Sequence, residues 1–233
     1  MDPCFHTDPG ARMSLRLTML LALLLSPLLA SATVAPALVP APAAPTTAPP
    51  APRVLMVTSM CEITIELDAA AAPATVENFL AYVRDGHYNG TIFHRAIPGV
   101  LLQGGAFTAD LQHKPSRAPV ASEAGNGLSN RRGTLAAARD RGVVDSATAQ
   151  FFFNVADNPK FDQTDAGSAY TAGYTVFGRV LQGLDVVDRI ATAPTKAQGP
   201  FPGWVPVVPV VIERVQRLDA AAAASPAAGT PQP

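Results

Sequence analysis

Reactive side chains are scarce in this chain of 233 residues. The histidines are His6, His87, His94 and His113, with no pair at metal-ligand spacing and no His-Glu-x-x-His helix, so no metal centre is legible. A Gly-x-Ser-x-Gly elbow and a phosphate-binding glycine loop are both missing, which removes the usual signs of a serine hydrolase or a nucleotide site. Nothing singles out an acid pair for glycoside hydrolysis. Charge is also sparse. Only 15% of residues are charged, the net charge is −1, and the arginines are scattered. Without a basic stripe and interleaved aromatics, nucleic-acid binding is not expected. If the chain is an enzyme, its chemistry needs no nucleophile, metal or cofactor.

A bilayer-spanning run is lacking too. The apolar stretch Leu17–Leu25 is shorter than the ~20 residues needed to cross a membrane, and Ser26-Pro27 interrupts it. Arg16 precedes it and a small-x-small ending, Ala30-Ser31-Ala32, follows, which is the pattern of a secretory signal. With Met13 as the start, residues 1–32 read as a signal peptide cleaved near Ala32, the alternative being an uncleaved anchor. No cysteine follows the run, so a lipid-modified N-terminus is not expected. Cys4 lies in or before the removed segment, so no intramolecular disulfide is expected at Cys61 in the mature chain. No Cys-His arrangement surrounds Cys61, which reads as a small residue at a turn.

Residues 33–52 form an Ala/Pro-rich linker that cannot bury a core and serves as a semi-rigid spacer. Residues 219–233 read as a disordered tail. Between them, residues 53–218 form one domain of mostly strand character. The candidates are 53–59, 62–68, 91–97, 133–139, 149–155, 174–180 and 207–218, separated by Gly, Pro and Asp. No parallel βαβ rhythm is present, which leaves a closed antiparallel barrel or a sandwich. Two helices stand out. One starts at Pro73, carries Val76, Phe79, Leu80 and Val83 at helical spacing, and stops at Gly86. The other carries Leu184, Val187 and Ile190 and ends by Pro194.

One segment needs a chemical explanation. "TIFHRAIPGVLLQGG" (91–105) puts Arg95 on a strand beside an apolar stretch, followed by Gln103. Read with "SATAQFFFNVADN" (146–158), "YTVFGRV" (174–180) and the helix "PATVENFLAYV", it closely resembles the cyclophilin family of peptidyl-prolyl cis-trans isomerases, especially the secreted bacterial members. The resemblance spans Val54 to about Arg217. It implies a closed eight-stranded antiparallel barrel capped by two α-helices, with a substrate groove on its outer face and no cofactor or metal. It also implies a monomer in the periplasm that acts on proline-containing unfolded or exported polypeptides, with no membrane attachment after signal cleavage.

By position in those motifs, Arg95 corresponds to the family's catalytic arginine and Gln103 to the glutamine that orients it and the substrate. Phe152 corresponds to the floor of the proline pocket, and Leu101 to a lining residue. Ala138 and Arg139 correspond to the edge that pairs with substrate backbone. Asparagine is common at the position of Arg139 and acts there through its main chain, so the side chain is expected to be indifferent. Tyr174 stands where many relatives have histidine. Two positions depart from the pattern: Val100 replaces a pocket phenylalanine, and Lys160 falls where a large aromatic is usual. Phe161, at a pocket leucine position, is expected to supply the missing ring, and weak cyclosporin binding follows from the change at Lys160. His94 reads as a hydrogen-bonded structural histidine rather than a base. Alternation along 151–153 puts Phe151 and Phe153 on the face opposite Phe152.

Two other readings compete with the isomerase. One is a proline-peptide-binding chaperone module on the same fold with little turnover. The other is a small-ligand carrier with a hollow barrel, which the bulky Phe151, Phe153, Val176 and Phe177 oppose, since small barrels fill their interiors with such side chains.

Overall fold

The computed structural model describes residues 50–218; the expected signal peptide, most of the linker and the tail lie outside the described residues. Ten strands are described. They are β1 (Arg53–Thr58), β2 (Glu62–Leu67), β3 (Thr91–Ile97), β4 (Leu101–Thr108), β5 (Thr134–Ala137), β6 (Phe151–Asn154), β7 (Val176–Gln182), β8 (Thr195–Gln198), β9 (Phe201–Pro206) and β10 (Val211–Leu218). Eight of them close into a barrel in the order β1-β10-β3-β4-β6-β5-β7-β2, every pairing antiparallel, while β8 and β9 form a separate hairpin. The closed eight-stranded barrel is therefore the architecture, and the sandwich is excluded. An ionic bridge stitches the closure, with the Glu66 carboxylate accepting from Arg53 on β1 and Arg179 on β7.

The interior is solid. Phe93, Phe151, Phe153 and Phe177 are essentially inaccessible and share one core with Ile63, Ile65 and Leu102. Helix α1 (Pro73–Arg84) brings Phe79 to this core, 5.8 Å from the Phe151 ring and 5.4 Å from Phe177. Its first-turn N–H groups have no local cap. The Glu123 carboxylate, far along the chain, accepts from the amides of Ala74 and Thr75 and from the Thr75 hydroxyl. Helix α2 (Leu184–Ala191) buries Val187 and Ile190 against the same core. A packed interior leaves no room for a carried ligand. Val176 is a correction: it faces outward with Phe152 rather than inward with Phe177.

Two strand regions carry no legible strand signal in the sequence. In β4 the pair Gly104-Gly105 hides the two-residue period, and in β8–β9 the run "QGPFPG" reads as loop. Cys61 ends the β1–β2 turn, its carbonyl accepting from the Thr58 hydroxyl at 2.7 Å. It is disulfide-bonded.

Candidate active site

The outer wall of the barrel carries a groove of about 570 Å³. Its lining includes Arg95, Val100, Leu101, Gln103, Ala138, Arg139, Phe152, Phe161 and Tyr174, so every residue expected at the site lies there; Ile97, Arg141 and Lys160 complete it. These residues come from strands β3, β4 and β6, from the β3–β4 turn, and from the segments that follow β5 and β6. One register row explains the floor. Arg95 pairs with Gln103, Gln103 with Phe152, Phe152 with Ala136, and Ala136 with Val176. At ~4.8 Å between neighbouring strands, Arg95 and Phe152 stand about 10 Å apart along this row.

Arg95 reaches the outer face because the strand slips. Phe93 pairs with Gly104, yet Arg95, two residues on, pairs with Gln103, one residue back. The extra residue on β3 is a β-bulge that inverts the alternation. Phe93 and Ala96 both point into the core, whereas Arg95 is exposed and Ile97 packs on the groove side. Without the bulge Arg95 would share the face of Phe93. The two glycines beside it are sterically required. A Cβ on Gly104 would lie 2.9 Å from the Phe93 ring, and one on Gly105, whose φ is +95°, would lie 2.9 Å from both the Ala149 carbonyl and the Phe151 ring.

The bulged residue, His94, sits in a third environment. It is 2% exposed, packed between the rings of Phe107 at 4.8 Å and Phe201 at 5.3 Å. Among the described residues its Nδ1 has no hydrogen-bond partner, while hydrogen bonding with the Ile92 backbone and the Gln150 side chain acts on the ring. Burial, reinforced by the adjacent Arg95 charge, lowers its pKa to about 4. His94 is neutral at pH 7 and structural.

The apolar end of the groove is a cluster of three rings. Phe152 meets Phe161 at 5.8 Å and Tyr174 at 5.4 Å, and Phe161 meets Tyr174 at 5.4 Å, all edge to face. Phe161 thus supplies the ring expected from the position of Lys160, whose ammonium lies 5.4 Å above it. Trp204, on β9, does not line the groove.

A buried polar chain, not anticipated from the sequence, holds this wall. Asn158 Nδ2 donates to the Val100 carbonyl at 2.9 Å and to Asn154 Oδ1 at 2.8 Å. Asn154 donates to Asn130, and Asn130 donates to Asp162 Oδ1 and to the Phe161 carbonyl. Burial pushes the Asp162 carboxyl up, but hydrogen bonds from Ser129 and from the Asn130 amide and side chain outweigh it, and its pKa is lowered. Asn130, Asn154 and Asn158 are at most 4% exposed, so each lost bond would leave a buried polar group unpaired. Nothing in their spacing (130, 154, 158, 162) signals that they meet.

Two expected roles change. Gln103 is expected to aim Arg95, but its side-chain amide donates to Gln150 Oε1 at 2.9 Å. The Arg95 guanidinium makes no hydrogen bond or ion pair with any described residue. The Arg139 side chain is not indifferent either. Its Nε donates to the Gly173 carbonyl at 2.9 Å and its Nη2 to Ala169 at 2.7 Å, and its guanidinium lies 4.9 Å over the Tyr174 ring. It ties the 169–174 loop to the groove. Among the described residues no group of three or more His, Cys, Asp or Glu is placed to hold a metal ion.

Comparison with known proteins agrees with this architecture. Residues 53–217 match the family model described as cyclophilin type peptidyl-prolyl cis-trans isomerase/CLD. The chain is 48% identical over 160 residues to peptidyl-prolyl cis-trans isomerase A of Dickeya dadantii, covering 69% of this chain and 81% of that protein. It is 52% identical over 161 residues to peptidyl-prolyl cis-trans isomerase cyp18 of Streptomyces antibioticus, covering 69% and 95%. Among solved structures, a cyclophilin-type isomerase of Cryptosporidium parvum superposes with a TM-score of 0.57 at 22% identity, over 72% of this chain and 98% of that one. By its family match, its relatives and its barrel, the chain belongs to the cyclophilin-type peptidyl-prolyl cis-trans isomerases.

Proposed function

We infer that the groove isomerises X–Pro bonds in exported polypeptides, with Arg95 as the catalytic group. Rotation about a peptide bond faces a barrier of ~18–20 kcal/mol, because the nitrogen lone pair is delocalised into the carbonyl. For X–Pro the two isomers lie within about 1 kcal/mol yet exchange over tens to hundreds of seconds. No bond breaks, so neither acid nor nucleophile is required. What helps is a donor that binds the twisted amide more tightly than the planar one, since the nitrogen becomes a better acceptor as it pyramidalises. Arginine suits this because its planar fork of donors is always charged and pre-organised.

The observation that carries this reading is the unengaged Arg95 guanidinium beside the Phe152–Phe161–Tyr174 rings. The rings hold the pyrrolidine, Val100 and Leu101 wall it, and Ala138 with the main chain of Arg139 takes the substrate backbone. Gln103, held by Gln150, presents its remaining amide valences to substrate. The signal-like residues 1–32 support action in the periplasm, and N-terminal sequencing of the fractionated protein tests that part.

Val100 favours one competing reading, a proline-binding chaperone with little turnover, because it leaves one pocket wall short. A cis-to-trans assay on proline tetrapeptides separates the two. Arg95→Ala is expected to lower kcat/KM by about one to three orders of magnitude, the range for losing one electrostatic stabiliser. Equal rates for both proteins would remove Arg95 from the mechanism.

A further inference from the structure

We propose that the groove selects prolines flanked by acidic residues, a preference that rests on the isomerase reading above and narrows its substrates. Four cationic side chains line the groove, Arg95, Arg139, Arg141 and Lys160, and no carboxylate does. General basicity does not explain this, because the whole chain carries a net charge of −1. Ion pairing does not neutralise it either. Among the described residues six other arginines pair with carboxylates, while none of these four does. Isolated surface cations are usually just solvated. Here they gather around one cleft with low-dielectric aromatic walls, which focuses their field where a peptide would lie.

The four differ in availability. Arg95 faces the isomerising bond. Arg139 is held by backbone carbonyls and keeps its charge while its donors are engaged. Lys160 and Arg141 remain. Lys160 stands over Phe161, at the wall of the ring pocket. Arg141 lines both the groove and an adjoining hollow of about 360 Å³ that shares Gln103, Ala138 and Arg139 with it. Asp140 is the one carboxylate lining that hollow, outnumbered there by the two arginines. A glutamate or aspartate one or two residues from the proline would meet Lys160 or Arg141, and a lysine there would be repelled by both.

The test uses the full chain with three peptides, Ala-Glu-Pro-Phe, Ala-Gln-Pro-Phe and Ala-Lys-Pro-Phe, and a matching set varied after the proline. Turnover is read by exchange NMR and binding by titration. In at least one set kcat/KM is expected to favour Glu over Lys by about fivefold to tenfold at low salt, from one attractive and one repulsive exposed contact. The ratio should fall toward one in 1 M salt, where the Debye length is ~3 Å. It should also fall in Arg141→Gln or Lys160→Gln. Equal kcat/KM for Glu and Lys in both sets overturns the preference and leaves the isomerase reading standing. A ratio untouched in both variants overturns the assignment to these two residues. Absence of turnover on every peptide sinks the isomerase reading instead; the titration then decides, tighter Glu binding supporting the selection and equal affinities overturning it.

Discussion

Inside the barrel, Phe151 and Phe153 are packed ring against ring, with Tyr88 at 5.4 Å from Phe151 and Phe93 at 6.3 Å from Phe153. One residue between them, on the outer wall, Phe152 meets only two rings and a few small side chains, below a rim of cations. The same side chain serves stability on one face of β6 and, under the proposed function, recognition on the other. Inner rings are closed in by the core on every side; outside, Phe152 is also buried, as the floor, and it is Phe161 and Tyr174 that stay half-buried above it. Residue type does not assign the role here. Strand parity does, and on β3 it takes a bulge to set it.

That contrast can be broken from either side. The largest effect is expected inside. Phe153→Ala should destabilise the domain by about 3–5 kcal/mol, the range for opening a cavity of that size, and lower Tm by roughly 6–20 °C. The remaining folded protein should turn over normally, so a matching loss of kcat/KM at low temperature would show that the two faces are not separable. Arg95→Ala is the mirror image, since Tm should hold while activity falls.

Acid addresses the third environment. His94 has a folded pKa of about 4 against 6.5 for the free side chain, so between those values the unfolded chain binds a proton that the folded one refuses. Stability from this residue is complete above pH 6.5 and is lost as pH falls toward 4. At 1.36 kcal/mol per pKa unit the loss is about 3 kcal/mol. Urea melts across this window should show it, and His94→Phe should flatten it. An unchanged slope would mean that another group is responsible.

Asn158→Ala probes the link between the faces. It leaves Asn154 Oδ1 without the Asn158 donor, and the Val100 carbonyl with only the Val155 amide, at about 1–3 kcal/mol. Because those bonds hold the groove wall, KM should rise more than kcat falls; equal changes in both would make the chain of asparagines merely structural. The smallest expected effect is Val100→Phe. A larger pocket wall should raise kcat/KM by about tenfold at most, with stability within about 0.5 kcal/mol. No gain would mean that Phe161 already makes up the wall.

How much of this was legible beforehand follows from which contacts are local. Alternation announced Phe151, Phe152 and Phe153 on opposite faces, and helical spacing announced Phe79, because both patterns live within a few residues. The ordered motifs carried the closed barrel and most of the groove lining, though not Ile97, Arg141 or Lys160. Strand β4 is illegible because Gly104 and Gly105 erase the pattern that would mark it, although they are what lets Phe93 and Phe151 pack there. Long-range side-chain geometry was beyond reach. Gln103 turning to Gln150, Arg139 clamping the 169–174 loop, Val176 facing outward and the Asn130–Asp162 chain all depend on residues brought together only by folding.

Closure of the main sheet bears on how such a protein survives its own substrates. An extended polypeptide readily adds itself to any sheet with an unpaired edge, and that mode of capture is tight and slow to reverse. A barrel in which β1 pairs with both β10 and β2 has no such edge to give. Under the proposed function, a passing chain finds only side chains and the short stretch at Ala138 and Arg139, enough for a brief grip. For a catalyst that must release each proline and meet the next, a surface that refuses to become a template is part of its turnover.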